Sequence, residues 1–352
     1  MRHPPSIYKP LSDTFKSLRL IEVLPLSSDG LIYIRMREAR TPGRYQCLSY
    51  MWGDASEETE AKVIVNGQPK YVRRNLYTFL QTAQQRFTEQ PLWVDALCIN
   101  QDDDVEKSHQ VQRMGHIYRF AESVIIWLGV EVELTPLFEF VNFLWYAYGV
   151  ADGNRTIVLA FPEYPIETRR ERIINSAFQR LCSNPYWSRT WVAQEVLLAQ
   201  RIIIVNAEEE MGFESLNQVL LPSVDDSGKE RSMLKKFANS RRQHQGKGQF
   251  QNMQAVIWDL LEWLGDSHCG DERDHIYGLL SLVKGGRSFT VDYGEDVCSL
   301  FWRAGEHFRA WTKQKSMHLL CRTLGLTIER LQENLTSTVK LKPSLIAPSE
   351  KL

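Results

Sequence analysis

The sequence lacks the features that mark membrane-spanning and disulfide-stabilised proteins. No apolar run reaches the roughly 18 uncharged residues of a membrane span, and the first residues, MRHPPSIYKPL, include no apolar segment of the kind that signal peptides carry. The six cysteines stand singly, without a CxxC pair or a repeated spacing. We therefore expect a cytoplasmic protein with reduced thiols and no membrane span.

A net charge of either sign and the common cofactor and metal motifs are also lacking. Lys and Arg number 42 and Asp and Glu 43, so the charge balance favours neither a nucleic acid nor an anionic membrane as partner. There is no Walker loop, no GxGxxG and no nucleophile elbow. His268, Cys269 and His275 lack the paired spacing of a zinc site. We expect no metal, no resident cofactor and no nucleic-acid partner.

An alternation of strand and helix patterns is what the sequence does contain. Residues 45–50 (YQCLSY) and the apolar run 92–99 (LWVDALCI) are typical of strands, and the run is apolar enough to be buried on both faces. Asp103, with Glu106 three residues later, predicts a helix that begins with a capping box. Residues 124–128 (VIIWL) predict a second buried strand. Strand, helix and strand in succession predict a βαβ unit with a right-handed crossover, and therefore an α/β fold.

Further patterns surround this unit. Residues 62–72 (KVIVNGQPKYV) predict a β-hairpin insertion, because their central Asn-Gly pair suits a turn in which both residues have positive φ. Asn75 is predicted to cap the helix that follows. Residues 184–200 predict a turn leading into a helix, and residues 201–205 (RIIIV) predict the next strand.

Composition divides the chain into three parts. Residues 1–224 are predicted to form the α/β core, with an insertion at 130–182 where the alternation weakens. Residues 225–251 are rich in Ser, Lys, Arg, Gln and Gly and are predicted to be a mobile connection. Residues 252–352 contain segments with helical periodicity, which predict a C-terminal helical subdomain packed on the core.

Four segments of the chain carry a recognisable pattern: YQCLSYMWGD at 45–54, LWVDALCINQDDDVEKSHQVQRMGHIYRFAESVIIWLG at 92–129, YWSRTWVAQE at 186–195 and DERDHIYGLLSLV at 271–283. In this order they resemble the fungal heterokaryon-incompatibility (HET) domain family. The resemblance implies an intracellular trigger of regulated cell death that acts after fusion of genetically unlike cells. One departure from the family pattern is local: Asn206-Ala207 stands where a glycine is expected after a strand.

HET domains are in turn similar to TIR domains, which have a flavodoxin-like, mainly parallel sheet flanked by helices and in several lineages cleave NAD. The CLSY segment at 47–50 is similar to the Ser-Tyr box in the first strand of TIR domains. The segment SRTWVAQEV at 188–196 is similar to the helix that bears their catalytic glutamate. This resemblance implies a TIR-like fold, NAD as substrate and Glu195 as the catalytic residue.

A single glutamate is chemically sufficient for that reaction. Cleavage between ribose and nicotinamide passes through an oxocarbenium-like state, and because the pyridinium departs as a neutral molecule, no general acid is needed. Glu195 could then stabilise the developing positive charge, with Trp191 on the same helical face as an apolar wall that raises the pKa of the carboxyl. The alternative is that Trp191 belongs to the core and Glu195 is a structural carboxylate.

Other substrate-binding residues are expected at the ends of strands. Ser49, Tyr50 and Trp52 fall at the carboxyl end of a predicted strand, where open α/β sheets bind ligands. Trp52 either stacks on a base or nicotinamide ring, or closes the end of the sheet as a core residue.

Two charged residues complete the expected site, each with two interpretations. Asp95 interrupts an apolar strand, where an ionised carboxylate requires a partner. It either contacts a ligand at the edge of a pocket, or bonds Ser49, a backbone amide or an arginine to hold the fold. Arg189 either clamps a phosphate or pairs with Glu195.

Three functional hypotheses follow from the sequence. The first is a self-associating HET-type cell-death domain that hydrolyses NAD to nicotinamide and ADP-ribose. The second is a non-enzymatic death-signalling module that acts by self-association or by recruiting a partner. The third is a nucleotide sensor that binds without turnover. Whether the protein is an enzyme is left open by the sequence.

Overall fold

One mixed β-sheet with helices packed on it organises the protein. The computed structural model describes residues 7–53, 60–148, 169–219, 233–245, 255–265, 267–312, 314–327 and 329–331. Part of the predicted insertion, both ends of the predicted mobile connection and the residues after 331 therefore lie outside the described residues. No helix among the described residues is long and apolar enough to cross a membrane.

The described residues form a sheet of nine strands in the order β5-β4-β2-β1-β6-β3-β7-β8-β9. Its four neighbouring strands β6, β3, β7 and β8 run parallel, whereas β1 pairs antiparallel with both β2 and β6. The strands are β1 (Ser17–Val23), β2 (Tyr33–Arg40), β3 (Gln46–Tyr50), β4 (Glu60–Val65), β5 (Gln68–Arg73), β6 (Leu92–Trp93), β7 (Ser123–Trp127), β8 (Ile202–Asn206) and β9 (Glu209–Gly212).

The α/β class is confirmed, but the sheet is mixed rather than mainly parallel. Strand β1 accounts for much of the difference, because it joins the β2, β4 and β5 side to the parallel strands through antiparallel pairs. Its sequence, SLRLIEV, does not predict a fully buried strand, because Arg19 and Glu22 interrupt the apolar residues. Both charges are compensated by partners distant in sequence: Arg19 by Glu106, and Glu22 by Arg35 and Arg37.

Twelve α-helices are described. They are α1 (Arg74–Arg86), α2 (Asp95–Cys98), α3 (Asp104–Phe120), α4 (Thr135–Tyr148), α5 (Arg169–Cys182), α6 (Val192–Leu197), α7 (Phe213–Val219), α8 (Met233–Gln245), α9 (Ile257–Leu264), α10 (Asp274–Tyr277), α11 (Val297–His307) and α12 (Gln314–Thr323).

The predicted βαβ unit is present as β6, α3 and β7. Both strands lie parallel to β3, which separates them in the sheet. Asp103 caps α3 as predicted, because its side chain accepts hydrogen bonds from the amides of Val105 and Glu106 at 3.1 and 3.0 Å. The prediction of a strand over 92–99 is wrong beyond Trp93: the chain turns into α2, since an apolar run suits a short buried helix as well as a strand.

Glu106 does not complete the capping box. Its carboxylate accepts a hydrogen bond from the amide of Asn100 at 2.8 Å rather than from that of Asp103. Both of its oxygens also accept hydrogen bonds from Arg19, at 2.5 and 2.8 Å. Arg19 is only 4% exposed and also donates to the carbonyl of Cys98. Glu106 therefore anchors α3 to β1 through a buried ion pair.

The hairpin prediction is confirmed, whereas the predicted cap of α1 is wrong. Asn66 and Gly67 take φ values of 49° and 81° between β4 and β5. Arg73 occupies the cap position of α1, and Asn75 lies inside the helix. The side-chain amide of Asn75 donates a hydrogen bond to the carbonyl of Met51 and accepts one from the indole of Trp127. Asn75 therefore connects α1 to the ends of β3 and β7.

Helix α8 lies within the segment predicted as a mobile connection, 225–251. Its Arg241 is buried and donates to the carbonyls of Val196 and Ala199 at the end of α6. Arg241 also pairs with Glu214. One polar side chain of this segment, Arg241, is therefore buried and donates hydrogen bonds to carbonyls at the end of α6. The predicted domain boundaries stay predictions.

Replacing Glu106 by alanine is expected to lower the free energy of unfolding by about 3–5 kcal/mol, because the buried Arg19 guanidinium loses its partner. Chemical denaturation monitored by circular dichroism measures the change. Asp104→Ala is the matched control: this carboxylate is exposed in the first turn of the same helix, and its loss should cost about 0.3–1 kcal/mol. Equal effects of the two variants would contradict the role of the Arg19 pair.

Candidate functional site

A cavity lies where β3 and β6 end. Parallel strands bring their carboxyl ends to one edge of a sheet, which is where open α/β sheets bind ligands. The cavity has a volume of about 450 Å³, within the range of small-molecule sites. Its walls come from the ends of β3 and β6, helix α3, the turn before α6 and the segment 268–293. The lining residues include Trp52, Arg73, Asp95, Lys107, Arg189, Trp191, Asp271, Asp274 and Tyr293.

Trp52 and Asp95 meet at one side of the cavity. The Trp52 indole donates a hydrogen bond to Asp95 Oδ2 at 2.9 Å, and Asp95 Oδ1 accepts one from the amide of Ala96 at 2.7 Å. Burial raises the pKa of Asp95, while the Arg189 charge and the Trp52 bond oppose the rise. Asp95 thus lines the cavity, as the ligand-contact interpretation expected, and also bonds a backbone amide, as the structural interpretation expected.

Glu195 lies in a buried network away from the cavity surface. It is 1% exposed and is not among the lining residues. Its carboxylate accepts a hydrogen bond from the hydroxyl of Ser49, which in turn lies 2.5 Å from the hydroxyl of Tyr186. Arg189 Nη1 lies 3.6 Å from Glu195 Oε2. Of the two interpretations of Arg189, a phosphate clamp or a partner of Glu195, the structure shows the ion pair with Glu195.

The pKa of Glu195 is raised by its buried position, against the opposing effect of its partners. Burial raises the pKa of this carboxyl, and the Arg189 guanidinium and the Ser49 hydroxyl counteract the rise. Ser49 and Tyr50 are 1% and 2% exposed and, like Glu195, do not line the cavity. Of the seven residues predicted from the sequence, four line it: Trp52, Asp95, Arg189 and Trp191.

Trp191 contacts a carboxylate that the sequence reasoning missed. Its indole donates to Asp274 Oδ2 at 3.0 Å, and the hydroxyl of Tyr293 donates to Asp274 Oδ1 at 2.5 Å. Burial raises the pKa of Asp274 to about 6, although both hydrogen bonds lower it. The indole that was expected to serve as an apolar wall for Glu195 therefore binds Asp274 instead. The sequence feature that could have identified Asp274 is its position inside the DERDHIYGLLSLV segment.

The basic residues of the cavity were also missed, except for Arg189. The Arg73 guanidinium lies 5.3 Å from the centre of the Trp52 ring and donates to the carbonyl of Gly53. Lys107 Nζ lies 4.0 Å from the centre of the Tyr293 ring. Trp52, Gly53 and Arg73 also line a second cavity of about 360 Å³ beside the first. Isolated Arg and Lys residues give no sequence signal, because most of them are solvated surface residues.

Asp274 should make the stability of the protein depend on pH. The folded protein holds the proton of Asp274 up to a pKa of about 6, compared with an ordinary value of 3.8, so the free energy of unfolding falls as pH rises through this window. The fall attributable to this group is at most about 3 kcal/mol. Urea denaturation at several pH values should show a shallower slope for Asp274→Asn than for the wild type, and identical slopes would contradict the assignment.

Comparison with known proteins shows a family match that includes part of the cavity lining. Residues 45–195 match the family described as heterokaryon incompatibility protein (HET). Over 137 residues the chain is 36% identical to heterokaryon incompatibility protein 6, OR allele, from Neurospora crassa. That alignment covers 35% of this chain and 20% of the relative, so the chain spans about a fifth of the length of the curated relative it matches. No solved structure matches the chain. Strands β3, β6 and β7, the first residues of α6 and one side of the cavity fall within the residues that match the HET family.

Proposed function

We propose that this chain acts in heterokaryon incompatibility as a trigger of regulated cell death, and that it does so by binding and hydrolysing NAD in the cavity at the ends of β3 and β6. The first part is supported by the HET domain and by a relative that is named a heterokaryon incompatibility protein. The second part is supported by the lining of the cavity and by the buried glutamate beneath it. We also propose that the parallel strands β6, β3, β7 and β8 correspond to the core of a TIR-like sheet.

The combination of aromatic and basic side chains around the cavity favours a nucleotide. Trp52 and Trp191 offer ring systems on which a base or a nicotinamide can stack. Arg73, Lys107 and Arg189 provide charges that suit phosphate groups. The adjoining second cavity, which shares Trp52 and Arg73, extends the available space for a dinucleotide.

Arg189 links ligand binding to Glu195. Its Nη1 makes no hydrogen bond to the described part of the chain, and its 3.6 Å separation from Glu195 is longer than a hydrogen bond. Because Arg189 also lines the cavity, a ligand phosphate can compete with Glu195 for the guanidinium. In this proposal the competition moves Arg189 aside and exposes the carboxylate to the ribose.

The exposed carboxylate then stabilises the positive charge that develops on the ribose. The bond between C1′ and the ring nitrogen breaks, its electron pair stays on the nitrogen, and nicotinamide leaves as a neutral molecule. Water adds to C1′ and releases one proton to solvent, so the products are nicotinamide, ADP-ribose and a proton. No oxidant or metal ion enters this balance.

One observation favours a second function, a nucleotide sensor without turnover. Glu195 is 1% exposed and is held by both Ser49 and Arg189. If the carboxylate keeps these contacts after ligand binding, the same cavity binds a nucleotide and transmits the signal through self-association or a protein partner. Death signalling that survives Glu195→Gln but fails when self-association is blocked would identify this function.

Hydrolysis is tested by incubating the purified protein with NAD and measuring nicotinamide release. Glu195→Gln should lower the rate by about 100-fold or more, because it removes the charge that stabilises the transition state. Glu208→Gln, which changes an exposed carboxylate in the turn after β8, is the matched control and should retain full activity. Absence of activity in the wild type, both as a monomer and in its assembled form, would exclude the hydrolase.

Binding is tested separately by titration calorimetry. Trp52→Ala should weaken NAD binding by roughly 5-fold to 150-fold, the range expected for loss of one stacked ring. Trp145→Ala removes a partly exposed tryptophan of α4 that does not line this cavity, and it should leave the affinity unchanged. Equal affinities of the wild type and Trp52→Ala would place the ligand elsewhere.

A further inference from the structure

Asp274 is a carboxylate on the cavity wall that has no ion-pair partner in the described part of the chain. Its two oxygens accept hydrogen bonds from neutral donors, the indole of Trp191 and the hydroxyl of Tyr293. Other acidic residues near it are paired: Asp271, for example, binds Arg273 through two parallel contacts of 2.9 and 2.7 Å. The negative charge of Asp274 is thus positioned by hydrogen bonds but is not neutralised by a salt bridge.

The nearby cations have other contacts. Arg273 binds Asp271 and donates to the carbonyls of Tyr293 and Glu295. Lys107 lies over the Tyr293 ring, 4.0 Å from its centre, rather than within ion-pair distance of Asp274. Its charge lowers the pKa of Asp274, yet burial outweighs that effect. The environment therefore leaves the carboxylate incompletely compensated.

Aromatic side chains flank this carboxylate within the cavity. Trp191 and Tyr293 both line the space that Asp274 faces. Aromatic rings attract cations through their negative faces, and the attraction increases where water is excluded. Lys107 and Arg273 already lie over the Tyr293 ring, 4.0 and 5.2 Å from its centre, so Asp274 and the Trp191 ring are the groups that suit a flat organic cation.

We propose that Asp274, flanked by Trp191 and Tyr293, binds the positively charged ring of an oxidised nicotinamide nucleotide. This inference rests on the proposed nucleotide-binding function and adds the orientation of the ligand: its ring lies against Asp274 and its phosphates lie toward Arg73 and Arg189. Asp274 and Tyr293 follow the residues 45–195 that match the HET family. The segment beyond the HET match thus selects the oxidation state of the ligand.

The discriminating ligands are the oxidised and reduced forms of carbocyclic NAD, which resists hydrolysis. The oxidised form carries a ring cation and the reduced form does not. Calorimetry with the full chain at about pH 8, where Asp274 is ionised, should give an affinity about tenfold or more higher for the oxidised form. In Asp274→Asn the preference should fall to the few-fold difference that the aromatic ring alone provides, with the affinity for the reduced form unchanged.

Two further variants separate this role from a structural one. Glu272→Gln removes an exposed charge from the same segment and should keep the wild-type preference. Tyr293→Phe removes a donor that lowers the pKa of Asp274, so the preference for the oxidised form should appear only at a higher pH than in the wild type. This variant keeps the test decisive if Asp274→Asn does not fold.

The outcomes distinguish this inference from the function on which it rests. Equal affinity of the wild type for both forms, together with binding of ADP-ribose, overturns the role of Asp274 and leaves nucleotide binding intact. A preference in folded Asp274→Asn as large as that of the wild type, or a preference in Tyr293→Phe with the same pH dependence as in the wild type, also overturns it. Failure to bind both forms and ADP-ribose overturns the nucleotide proposal and this inference together.

Discussion

A buried carboxylate joins the parallel strand β3 to helix α6, near the end of the residues that match the HET family. Glu195 accepts a hydrogen bond from Ser49, which is 146 residues away in sequence, and lies beside the guanidinium of Arg189. A charge in the interior is costly unless hydrogen bonds and an opposite charge compensate it. The position of β3, the turn before α6 and the placement of Arg189 at the cavity all depend on this compensation.

The same interaction defines what the cavity can do. Arg189 lies beside Glu195 and also lines the cavity, so in the proposed function an anionic ligand and the buried glutamate compete for one guanidinium. The opposite wall belongs to a segment outside the HET match, where Arg273 holds the chain by donating to the carbonyls of Tyr293 and Glu295. Asp274 is positioned by that segment. The cavity is therefore composite, because its walls come from distant parts of the sequence.

The local elements that sequence patterns predicted correctly are those whose cause is local. The Asn-Gly turn at 66–67 needs only the positive φ of its two residues, and the cap of α3 needs only the Asp103 side chain near two backbone amides. Errors occurred where a distant partner decides the outcome. Glu106 has the spacing of a capping box but binds Arg19 of β1. Strand β1 was missed because its charges are neutralised by residues of other elements.

The sequence by itself determined the α/β class, the βαβ unit and the resemblance to HET domains, and it suggested seven site residues, four of which line the cavity. These follow from periodicity and from motifs that are continuous in the chain. Only the tertiary structure decided that Glu195 is buried behind Arg189 and that Asp274 lies on the cavity wall. The physical reason is that the exposure and charge of a carboxylate depend on neighbours from other elements, and periodicity along one element does not specify those neighbours.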